Sequence, residues 1–145
     1  MRLFGHPVHA ALVAFPLALL AVAPLWDLGA RFQLLQGAHV AGYFCLLGGL
    51  VGAGLAILTG FADFLKLADP RSAAAKAALV HAGVALTAVS LAGVAFALRG
   101  GRAAQPGSLA LALEIAGALA LGATGWLGGQ LVFHHAVGVD RGPPG

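Results

Sequence analysis

The chain has 145 residues, of which 60% are hydrophobic and 9% charged, with a mean hydropathy of +0.93. A soluble domain carries about 25% charged residues, so a water-covered surface is excluded. The formal charge of +3 comes from single residues scattered over connectors, without a basic run, and does not describe a nucleic-acid interface.

The first apolar segment runs over residues 8–28, inside "GHPVHAALVAFPLALLAVAPLWD". About 20 apolar residues cross a bilayer as a helix, so this segment reads as a span. Its length, and the lack of a basic leader beyond Arg2, set it apart from a cleavable signal peptide. Pro7 suits the first helical position, which makes His6 the expected cap. Pro16 and Pro24 lie inside the span, where membrane helices tolerate proline. The connector "GARFQLLQG" then leads to a second segment, residues 38–65. Cys45 lies in mid-span and, being alone, makes no internal disulfide.

"KLADPRSAAAK" turns the chain into a third segment, residues 74–98, with Asp69-Pro70 as turn chemistry and Ser72 as a helix cap. "RGGRAAQPGS" leads to the fourth, residues 109–133, with Ser108 as its expected cap. Long apolar runs without alternation read as helices and not barrel strands. The expected fold is all-α, an integral membrane up-down four-helix bundle over residues 1–136, with a short irregular tail at 137–145. Glycines in spans two and four allow close helix approach or leave room for a flat cofactor. A faint echo relates "GAGLAILTGF" in span two to "GALALGATGW" in span four.

Lysine and arginine set orientation. Arg2, Lys66, Arg71, Lys76 and Arg141 fall on the side of the termini, against Arg31, Arg99 and Arg102 on the other. The expectation is a multi-pass membrane protein with cytoplasmic termini; that the membrane is the bacterial inner (cytoplasmic) one is implied by the resemblance given below.

This topology brings His6 and His9, Asp63, His81, and His134 and His135 to one leaflet from all four helices. Each alone has an ordinary reading at an interface, and Lys66 follows Asp63 within a turn. His81 is different, because it lies on the order of 10 Å inside its helix, where ionisable groups usually face the bundle interior and serve a function. Imidazole offers one nitrogen to a metal and the other to a hydrogen bond. His9, His81 and His135, with His6 beside them, are therefore candidate cofactor ligands. His9, His81, His135 and Asp63 are candidates for a metal ion. A smaller polar set, Asp27, His39 and Glu114, lies on the other side.

The stretches "GHPVHAALVAFPLAL", "TGFADF" and "GWLGGQLVFHHAVGV" together resemble the domain-of-unknown-function 2231 family of small four-helix bacterial membrane proteins. Its Gly-His-Pro-x-His opening is matched by Gly5, His6, Pro7 and His9. Its Gly-x-x-Asp is matched by Gly60 to Asp63. Its closing His-Gly-Val-Gly-Val is matched by His135 to Val139, with Ala136 in place of a glycine, which favours His135 over His134. Some members look joined to Rieske-type iron–sulfur domains, which implies a redox setting. The plan also looks like small b-type cytochrome domains.

Three functions are consistent with these residues. The first is a haem b electron-transfer protein with an iron–sulfur partner. The second is a non-haem protein that binds or transports a single transition-metal ion. The third is a structural or assembly subunit without cofactor. Each would sit in a lipid bilayer, with self-association into a homo-oligomer open to it. No nucleophile-and-base motif or phosphate-binding loop points to hydrolysis.

Overall fold

The computed structural model describes residues 2–3, 6–66 and 69–139. Among them, two-residue strands β1 (Arg2–Leu3) and β2 (His6–Pro7) pair antiparallel, with Arg2 opposite Pro7 and Leu3 opposite His6. Four helices follow: α1 (Val8–Arg31), α2 (Ala38–Phe64), α3 (Ala73–Leu98) and α4 (Ser108–Phe133). Each is long and apolar enough to cross a membrane.

The direction of each helix follows from its contacts. His9, at the start of α1, meets Ala56 near the end of α2, while Asp27, near the end of α1, meets Gly42 near the start of α2. The pair is antiparallel. In the second hairpin His81 near the start of α3 meets Thr124 of α4, and Arg99 at the end of α3 meets Glu114 near the start of α4. Arg99 also meets Asp27, so α1 and α3 run parallel. The outcome is an up-down bundle. Packing is dense within α1–α2 and α3–α4 and sparse between α2 and α3.

The interior is built of small and branched residues: Leu20, Ala23, Leu46, Ala53, Ala88, Ala92 and Leu121. Large apolar side chains point outward instead, among them Leu58 (68% exposed), Leu119 (73%) and Phe133 (87%). This inverts a soluble protein and fits a bundle whose solvent is lipid, where small residues let backbones approach. Gly49 and Gly117 serve this packing, facing Leu20 and the Ala88 carbonyl respectively, whereas Gly54, Gly122 and Gly129 face open space.

The helix ends correct several expectations. α1 continues to Arg31, three residues past the end of the apolar run, because its last turn faces the neighbouring helices with Asp27 and Gly29 buried. Pro7 ends β2 and does not open the helix, so His6 is a strand residue and not a cap. Ser108 does not cap α4; Gly107 holds that position, and the Ser108 hydroxyl accepts from Arg31 at 2.9 Å. Ser72 does cap α3, accepting from the Ala75 N–H at 3.1 Å. Asp69 makes the preceding turn, its Oδ1 accepting from the Arg71 N–H at 2.8 Å. The chain from residue 140 onward, with most of the expected tail and Arg141, lies outside the described residues.

Candidate functional site

Two polar levels cross the bundle, one near each end. The first is built on His9 and His81. The His9 ring is half-buried, and its Nδ1 donates to the Ala56 carbonyl at 2.9 Å, with the Thr59 hydroxyl at 3.4 Å as a second acceptor. Thr59 itself donates back to the carbonyls of Leu55 and Ala56 at 3.0 and 3.1 Å. His81, also half-buried, donates from Nδ1 to the Thr124 carbonyl at 3.1 Å. A ring nitrogen facing a carbonyl oxygen must carry the proton. In the neutral ring that leaves Nε2 with the lone pair.

A glycine lies under each ring. A Cβ at Gly60 would come within 2.8 Å of His9 Cε1, and one at Gly128 within 3.3 Å of His81 Cε1. Each glycine is four residues beyond the carbonyl that its histidine binds: Ala56 and Gly60 in α2, Thr124 and Gly128 in α4. The two hairpins therefore repeat one device. The echo read from the sequence had paired Gly60 with Gly125. The side-chain contacts pair Gly60 with Gly128, about one helical turn further along.

Both carbonyls lie well inside their helices. Ala56 is eight residues before the end of α2 and Thr124 nine before the end of α4, each about 12 Å along the axis. His9 was expected nearer the helix ends than His81. Its ring meets α2 about 12 Å inside that helix's end, because α1 begins that far along α2. The two rings are close enough that a charge on one bears on the other.

The remaining candidates have settings of their own. Asp63 forms an ion pair with Lys66 at 3.3 Å across one helical turn. His135 is half-buried just past the end of α4, while His134 is exposed. The side chain of His6 lies outside the described residues. Among the described residues no three His, Cys, Asp or Glu side chains are gathered as a metal-ion site. The sequence grouped four helices' worth of ligands; the described contacts single out two, His9 and His81, in one repeated setting.

The chain beyond His135 shows why a glycine belongs in the closing motif. Ala136 has φ +51°, and the Val137 N–H reaches back to the Leu131 carbonyl at 3.0 Å. This bond spans six residues and closes the helix end around a left-handed residue, a conformation that glycine favours.

The second level was only half legible. Arg99 is 7% exposed, Asp27 0% and Glu114 2%. Arg99 Nη1 donates to Asp27 Oδ2 at 2.6 Å and to Glu114 Oε1 at 3.2 Å. Nη2 donates to Asp27 Oδ1 at 3.3 Å and to the carbonyls of His39 and Ala104 at 3.0 and 2.9 Å. The guanidinium carbon lies 5.5 Å from the centre of the Tyr43 ring. Asp27 and Glu114 were read as polar residues near helix ends and Arg99 as an orientation charge. The missed signal was chemical: two carboxylates inside spans call for a cation, and an arginine ends span three on the same side.

No curated protein and no solved structure matches the chain. The family model described as a predicted membrane protein, DUF2231, matches residues 5–141, and the chain belongs to that family.

Proposed function

We propose that this membrane protein is an electron carrier in which His9 and His81 would hold haem b. One observation carries the reading: both rings are fixed through Nδ1 to a main-chain carbonyl, which orients Nε2 as the free base. Metal-binding histidines are commonly anchored this way through the nitrogen that does not bind the metal. The donor set fits haem, which takes two axial imidazoles. It fits a bare ion less well, since such ions want three or four protein ligands and no such group is gathered among the described residues. Bound haem would supply reversible one-electron chemistry. The chain's own part is to keep both rings neutral and oriented in a dry interior.

We also propose that the termini lie in the bacterial cytoplasm. Lys66, Arg71 and Lys76 are exposed on the terminal side, against Arg31 and Arg102 on the other, where Arg99 is buried in ion pairs. An iron–sulfur protein is the proposed redox partner.

The test is the absorption spectrum of protein purified from haem-replete cells, oxidised and reduced. A reduced-minus-oxidised haem spectrum is expected, lost in both His9→Ala and His81→Ala while the protein stays in the membrane. Protein without haem, whose histidine variants differ only in thermal stability, would overturn the reading in favour of two histidines that simply pin helices together.

A further inference from the structure

At the end of the bundle away from the histidines, the charges do not balance. Asp27 from α1 and Glu114 from α4 share a single cation, Arg99, at the end of α3. The residues of α2 beside them are Tyr43, over the guanidinium, Cys45, and His39, whose carbonyl holds Arg99 and which lines the hollow described below; none of them is a permanent cation. Arg31 on α1 is turned to Ser108. With both carboxyls ionised the buried cluster would hold a net charge of −1, which a low-dielectric interior disfavours strongly.

The hydrogen bonds are equally uneven. Asp27 takes both guanidinium ends, whereas Glu114 accepts one bond, at Oε1. Glu114 Oε2 is buried and meets no donor. The two carboxyl groups also bond the same guanidinium nitrogen, Nη1, a proximity that repels when both are ionised and attracts when one carries a hydrogen. One proton on Glu114 resolves all three features. It neutralises the cluster, gives Oε2 a hydrogen to donate, and turns the proximity of the carboxyls from repulsion to attraction.

A route to water lies next to it. A polar hollow of about 380 Å³ opens on this face, lined by Ala30, Gln33, Gln36, Gly37, His39 and Gln105. Of the two carbonyls that hold Arg99, that of His39 belongs to a lining residue, and that of Ala104 belongs to the residue before the lining Gln105.

We propose that Asp27, Glu114 and Arg99 form a proton-binding site, in which Glu114 carries one exchangeable proton at neutral pH, taken from and returned to water through this hollow. The ligand is the proton alone. The site is separate from the histidine level and stands whether or not that level holds haem.

The test is infrared spectroscopy of the full chain in lipid vesicles at neutral pH, in light and heavy water. The carbonyl stretch of a protonated carboxylic acid is expected, shifting when light water is exchanged for heavy. Glu114→Gln should abolish it. Asp27→Asn is the sharper variant: it removes the surplus negative charge, so Glu114 should ionise against Arg99 and the band should vanish although Glu114 is still present. It also keeps the experiment decisive if Glu114→Gln fails to fold. The proposal is overturned if the wild-type protein lacks the band, if the band survives either substitution, or if it does not respond to heavy water.

Discussion

A Cβ on residue 42 would lie 2.7 Å from the carboxylate of Asp27. No real side chain tolerates that approach, so Gly42 is what lets α2 pass over a buried ion cluster without pushing it apart. Gly42→Ala should therefore destabilise the bundle by about 1–3 kcal/mol, the usual cost of overpacking. Unfolding in mixed detergent would measure it. Gly54→Ala is the control: nothing lies within 4 Å of a Cβ there, and that variant should match the wild type.

Arg99 joins the ends of α1, α3 and α4 through one side chain. Among the described residues, Arg99→Met removes the cation that pairs with two buried carboxyls. Breaking a buried pair in this way typically costs about 3–5 kcal/mol. Arg99→Lys should fall between Arg99→Met and wild type, because an ammonium cannot bond Asp27 through two nitrogens while also reaching two carbonyls. The same unfolding assay orders the three proteins, and equal stability of Lys and Met variants would contradict the two-pronged geometry.

Ala136 departs from its family's glycine at a residue with φ +51°. A left-handed conformation costs an L-residue roughly 1–2 kcal/mol relative to glycine's freedom there. Ala136→Gly should raise stability, by up to about 1 kcal/mol after the unfolded chain's extra entropy is counted. A thermal scan of the purified protein checks the sign, and a lower midpoint would contradict the left-handed helix ending.

The four helices were legible because apolar length is a local property, and their ends were found to within a few residues. Ser72 and Asp69 were legible for the same reason, since a cap or turn side chain acts on backbone two or three residues away. Arg99 was not. It looks like any basic residue after a span, and only tertiary packing turns it 72 positions back to Asp27. The level of His9 was missed for a related reason. Counting residues from the start of α1 gives depth only if neighbouring helices begin flush, and α1 starts opposite Ala56, well inside the end of α2. The grouping of His135 and Asp63 with these histidines rests on a shared membrane face, which is wide compared with a coordination sphere.

The paired glycines give the most discriminating prediction about the histidine level. At Gly60 an added methyl would lie 2.8 Å from His9 Cε1 and 3.0 Å from its Nδ1; at Gly128 the distances to His81 are 3.3 and 3.6 Å. The first must displace the ring and with it the bond to the Ala56 carbonyl. The second asks for a shift of only a few tenths of an ångström. Gly60→Ala should thus behave like His9→Ala, losing an interhelical hydrogen bond worth about 1 kcal/mol and, if the ring is an axial ligand, the haem spectrum with it. Gly128→Ala should keep most of both. Reading stability and the reduced-minus-oxidised spectrum on the same two samples separates the roles: a Gly60→Ala protein with unchanged haem but lower stability keeps His9 as a helix pin and removes it from the axial pair. Equal behaviour of the two variants in both measurements would mean that the close approach of Gly60 to His9 does not control the site.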